Sequence, residues 1–259
     1  YFQALPLLCS LFFKGAVTAG EVTVGQGDYL WTFTPSLTAA NSPDSITLEL
    51  GDDVEQYEIE YVMAKRLLVA AQMGQDAPVT LEAECFGKQV TPTDFTGSLS
   101  LPAPTAMIAN QTRFYMDATW AGKGGTLKSG LLRETSVEFL NGLHPKFHGN
   151  SKMMTGHGEG LFDLRANFVF EGNSDADGIY DAFQAQTEKA VRLEFYGPQI
   201  GTGTTHSLKV DMWGIFSNVE PMGQDKDGDN LHVAEFVPYY GTTGAAMFAL
   251  AVTTNSNSL

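Results

Sequence analysis

The stretch LFDLRANFVFEGNSDADGIYDAFQAQTEKAVRLEFYGP, residues 161–198, changes its hydrophobic period twice. In 162–170, Phe162, Leu164, Ala166, Phe168 and Phe170 share one face, while Asp163, Arg165 and Asn167 share the other. That two-residue alternation is the signature of a strand with one buried side. Ile179, Ala182, Phe183 and Ala190 then recur at helical spacing and predict a helix over 179–189. Ser174 or Asp175 is placed to cap it, and Asp177 lies near the positive end of its dipole. Alternation returns with Val191, Leu193 and Phe195 against Arg192 and Glu194.

The same alternation extends outward in both directions. In 79–86, Val79, Leu81, Ala83 and Cys85 oppose Thr80, Glu82 and Glu84; later, Leu208, Val210 and Met212 oppose Lys209 and Asp211. Further strand candidates are 29–34, 46–50, 57–62, 113–119, 135–140, 231–237 and 247–253, separated by Gly, Pro, Asn and Asp clusters. The class is mainly β, with a helix laid against a sheet. The apolar run 1–13 is too short for the ~20 residues of a bilayer span and has no basic segment before it, so a buried amphipathic helix is expected there. The opening Tyr1 in place of Met reads as a processed or incomplete product, and the polar end 253–259 as a frayed one.

A weak internal repeat is visible. Helix 1–13 followed by strands 29–34, 46–50 and 79–86 matches helix 179–189 followed by 191–196, 208–212 and 231–237, with strand offsets of 162, 162 and 152. This predicts two tandem units, 1–104 and 105–259, the first lacking its opening strands.

Among 259 residues there are 30 acids against 15 Lys and Arg, a net charge of −15, yet only 17% of residues are charged. The imbalance reflects scarce cations, which argues against a protein that grips nucleic acid by neutralising phosphates. Cys9 and Cys85 make no zinc or disulfide framework. His144, His148 and His157 sit among Pro and Gly, without the helical spacing of a metalloprotease, and read as loop residues. Two stretches imitate calcium loops. Asn173, Asp175, Asp177 and Gly178 begin the pattern but end on Gln184; Asp225, Asp227 and Asp229 misplace Gly228 and end on Phe236. The first is better explained as helix capping and the second as a hairpin turn. The Gly-rich runs 122–126 and 201–205 follow no phosphate-loop spacing and read as hairpin loops. No nucleophile elbow or catalytic-cysteine signature is present, and no carboxylate pair stands out. The residues imply no enzyme and no cofactor.

Six acids and no base lie between residues 49 and 60: Glu49, Asp52, Asp53, Glu55, Glu58 and Glu60. A solvated loop or strand face explains them; so does a surface that lets a polyanion pass without adhering.

In order and spacing, YLWTFTPS, SPDSITLELGDD, strand 61–72 and VTLEAECFGK resemble the first half of the tail tube proteins of long-tailed bacteriophages. RFYMDATW, SVEFLNGLHPKFHG, the opening 161–198 stretch, HSLKVDMWGIF and DKDGDN resemble the second half, so nearly the whole chain is covered. The resemblance implies a β-sandwich or small barrel with a flanking helix, whose inner strands merge into a ring-wide β-barrel. Rings, hexameric or trimeric with two tandem tube domains per chain, would stack into a virion tail tube through which DNA is ejected. Phage DNA would cross the lumen unbound, and the expected partners are further copies of the chain and the tail terminator, tape measure and distal tail proteins, with no membrane insertion. On this resemblance the six acids line the lumen or a ring interface. Tyr239, Tyr240, Met247, Phe248, Leu250 and Val252 form a candidate inter-subunit arm, unless they are an ordinary terminal strand. Two alternatives remain. A virion decoration or carbohydrate-binding module would display aromatics on loops, whereas Trp31, Trp120 and Trp213 lie in or beside strand patterns. A β-rich hydrolase would need a convergent acid pair or triad.

Overall fold

The computed structural model describes residues 1–13, 19–36, 39–41, 43–74, 76–98, 103–223, 228–241 and 247–259. Its strands are β1 (Gly20–Glu21), β2 (Tyr29–Phe33), β3 (Ile46–Gly51), β4 (Gln56–Gln72), β5 (Thr80–Phe86), β6 (Gln89–Pro92), β7 (Thr112–Asp117) and β8 (Leu132–Leu140). They continue with β9 (His144–Lys146), β10 (Gly156–Gly158), β11 (Asp163–Glu171), β12 (Lys189–Ile200), β13 (Thr204–Gly223), β14 (Leu231–Pro238) and β15 (Phe248–Thr254). The helices are α1 (Leu5–Ser10) and α2 (Ser174–Gln184).

Strand β13 is 20 residues long and serves two sheets. Its first half lies between β12 and β15, and its second half, from Gly214 onward, pairs with β14. The first sheet therefore runs β7-β12-β13-β15-β2-β1, and the second runs β13-β14-β11-β8-β4-β5. The two pack face to face. Phe114 of β7 meets Phe168 and Phe170 of β11 at 5.2 and 5.0 Å, and Phe248 of β15 meets Phe139 of β8 at 5.7 Å. This is the β-sandwich expected from alternating strands, each contributing one inward face to a shared aromatic core.

The chain's start closes one end of that core. A 3-10 turn, Phe2–Ala4, leads into α1, and Phe2, Phe12 and Phe13 are almost fully buried. Phe13 touches Phe33, Phe139, Phe162 and Phe248, while the Asn141 side-chain amide donates to the carbonyls of Phe12 (3.0 Å) and Ala64 (2.8 Å). The predicted helix 1–13 is thus shorter than its apolar run but buried as expected. Strands from either side of residue 104 interleave, β4 beside β8 and β2 beside β15, so both predicted units draw on one core. Helix α2 starts at Ser174 and ends at Gln184, packs on β13 and buries Ala176, Ile179 and Ala182. Its cap is Asn173, whose side-chain oxygen accepts from the Asp175 and Ala176 amides at 2.9 and 3.2 Å.

Candidate functional site

Strand β4 also serves two sheets. Residues 63–72 belong to the sandwich, but residues 56–62 leave it and pair with β3 and β6 in a three-stranded arm. The departure occurs at Tyr61, whose φ of 55° is unusual for a residue with a Cβ, and whose hydroxyl hydrogen-bonds His157 Nδ1 at 2.9 Å. The arm turns at Gly51, where a Cβ would lie 2.1 Å from the Glu55 carbonyl oxygen.

The six predicted acids all lie on this arm. Cross-strand pairing puts Glu49, Glu58 and Glu60 on one face with Thr91 and Gln89, while Asp52, Asp53 and Glu55 form the tip. The Glu49 carboxyl is held below its ordinary range by the hydroxyl and amide of Thr96. Asp52 is held low by the Glu55 and Val54 amides. The opposite face carries Leu48, Ile59 and Val90 in one row and Leu50, Tyr57 and Pro92 in the next. Leu48, Leu50 and Val90 are 43%, 42% and 61% exposed, so neither sheet of the sandwich covers this apolar face.

The second predicted surface is divided. Phe248, Leu250 and Val252 point into the sandwich from β15 and are at most 1% exposed. Met247 packs against the same core. Tyr239 donates to Glu188 at 2.7 Å, its hydroxyl pushed up to about 12 by burial and that carboxylate; Tyr240 is exposed. The part of the predicted arm at 242–246 lies outside the described residues.

A larger set of acids escaped sequence reading. On the outer face of the second sheet, pairing aligns Glu82 and Glu84 of β5, Glu134 and Glu138 of β8, and Asp163 and Glu171 of β11. Glu235 of β14 and Glu220 of β13 complete it. Arg66 and Arg165 share that face, and Lys65 and Arg133 reach it in ion pairs with Glu84 and Glu171, so eight acids against four bases give −4. The outer face of the first sheet is neutral. Arg113, Arg192 and Lys209 balance Asp117, Glu194 and Asp211, with Arg192 bidentate on Asp211 at 2.5 and 2.9 Å. The alternation in VTLEAECF already set Glu82 and Glu84 on one face; only strand pairing assembles the rest.

The second sheet ends in two open edges. Beyond Gly214, β13 is paired with β14 alone, and β5 is paired with β4 alone, among the described residues. Four strands separate these edges and every pairing is antiparallel, so the edge strands run in opposite directions. The inward row of β5 aligns Leu81 with Val69 and Ala83 with Leu67; Leu81 packs on the core, yet Ala83 and Cys85 are exposed, so the core side of this edge has no cover from Ala83 onward. An edge of that kind is a template for another strand.

The remaining candidates are dispersed. His144, His148 and His157 lie in and beside the β9–β10 hairpin, and no three metal-ligating side chains gather among the described residues. Asp225 and Asp227 lie outside the described residues, while Asp229 pairs with Arg133 at 2.9 Å. Cys9 is buried in apolar surroundings that raise its thiol, and partial desolvation and the adjacent Glu84 raise that of the exposed Cys85, so neither is a ready thiolate. Trp31 and Trp213 are buried, which removes two of the three indoles from any sugar-binding platform. No helix among the described residues is long and apolar enough to cross a membrane.

Neither a protein-family model nor a curated protein matches the chain. Among solved structures, one described as "Crystal structure of Hcp protein" is similar at 16% identity and a TM-score of 0.28, over 53% of this chain and 96% of that one. A likeness that distant carries no weight beside the strand pairing above.

Proposed function

We propose that this chain is a structural subunit that joins copies of itself edge to edge into closed rings, and that the rings stack into the tail tube of a long-tailed bacteriophage. The observation that carries this is the pair of open, oppositely directed edges on the second sheet, one with an uncovered apolar row. A copy rotated about a common axis sets its β5 beside the second half of the first copy's β13 and continues the antiparallel alternation. Closure then removes every edge of that sheet. The contact is heterologous, so it generates rings when the rotation closes. The resemblance of the segment order to tail tube proteins supplies the biological context: a virion conduit for DNA, built with tail terminator, tape measure and distal tail proteins.

Negative-stain electron microscopy of the purified chain tests this. Stacked rings with three- or six-fold symmetry and a central channel are expected. Compact monomers at all concentrations would overturn it. Ala83→Lys puts a charge on the uncovered edge row while leaving the core untouched, and should abolish rings without lowering the melting temperature.

A further inference from the structure

The arm and the β9–β10 hairpin carry opposite charges and matching apolar side chains. The tip holds Asp53 and Glu55, and behind it lies the uncovered face with Leu48, Leu50 and Val90. The hairpin segment 144–158 holds Lys146, Lys152 and three histidines and contains no acid. Its Phe147 and Met153 are 64% and 47% exposed. Within one chain the two meet at the arm's base, through Tyr61 and His157. Strand β4 runs six residues from Tyr61 to the tip, about 20 Å at the usual rise, and no ion pair joins the tip acids to Lys146 or Lys152.

We infer that the arm of one copy docks on the β9–β10 hairpin of a second copy, its tip acids facing Lys146 and Lys152 and its apolar face covering Phe147 and Met153. This rests on the self-assembly reading and adds a contact separate from the sheet edges. The occupant is another copy because the chain itself carries the complementary surface. Tip acids that make no ion pair with their own hairpin leave Lys146 and Lys152 open to a neighbour's arm. The footprint of the apolar face, three strands by about five residues, is roughly 250 Å², well under the ~800 Å² per partner of a stand-alone interface. It therefore acts as one repeated contact of a polymer, and its charge component weakens with salt.

The test uses two charge-reversed full-length variants, Asp53→Lys/Glu55→Lys on the arm and Lys146→Glu/Lys152→Glu on the hairpin, read by sedimentation velocity and microscopy. All four positions are solvent-facing or half-exposed, so melting temperatures should stay at the wild-type value. Each variant alone is expected to lose at least tenfold of its assembled fraction, and an equimolar mixture, which restores arm-to-hairpin pairing between copies, is expected to recover it. Wild-type assembly in either variant, or failure of the mixture to recover, overturns the docking while wild-type rings keep the tube reading intact. A wild type that never assembles overturns both.

Discussion

At Gly214 a Cβ would lie 2.2 Å from the Val237 carbonyl oxygen and 2.8 Å from Pro238 Cα, both backbone atoms that cannot swing away. This is where β13 passes from one sheet to the other, and only a bare backbone lets β14 approach so closely. Gly214→Ala should cost about 2–3 kcal/mol in denaturant unfolding. Gly178 is the converse: it sits inside α2 facing open space, so Gly178→Ala should gain about 0.5–1 kcal/mol. His206 gives a pH-dependent case. It is 5% exposed, stacks on Phe2 at 5.3 Å, and burial holds its imidazole below the ordinary range. Its folded pKa lies below its unfolded one, so its contribution is complete above the unfolded value near 6.5 and is lost as pH falls through it. In unfolding curves taken from about pH 7 to about pH 5, His206→Gln should lose less stability than wild type.

Among the elements, strands whose alternation is uninterrupted were legible. Strands β8, β11 and β14 lie within a few residues of the positions read from alternation, because each keeps one face inward throughout. Strand β4 is one strand where the sequence reads two, 57–62 and 61–72, and β13 is four times as long as the candidate 208–212. Breaks in the alternation explain it: Trp213 is buried like its neighbour Met212 and Gly214 has no side chain, while in β4 Tyr61 takes a positive φ and a bulge lies between Ala64 and Arg66. The predicted helix 179–189 sits five residues late because Ala190, counted in its stripe, is buried in β12. That misreading hid the cap. The acids of the arm were found from sequence because they are contiguous; the apolar face behind them was not, because Leu48, Ile59 and Val90 come from three strands. Asn173→Ala removes both side-chain bonds to the first turn of α2 and should cost about 1 kcal/mol, measurable by thermal unfolding.

For the whole molecule, the net charge of −15 is unevenly distributed. The outer face of the second sheet is acidic and that of the first is balanced. If the second sheet is the one that closes around the ring, its outer face lines the channel, and a wall of carboxylates keeps a passing phosphate backbone from sticking. Glu134 and Glu235 are suited to test this, since among the described residues no cation forms an ion pair with either. They also come from β8 and β14, two interior strands of the sheet, so reversing them leaves both sheet edges and the arm intact. Tubes of Glu134→Lys/Glu235→Lys should therefore still form and should retain short duplex DNA in co-sedimentation at low salt, releasing it as salt is raised. Wild-type tubes should retain none. DNA held equally by wild type, or by neither, would show that this face looks away from the channel, because two added cations per copy, repeated around every stacked ring, are ample for a polyanion to find.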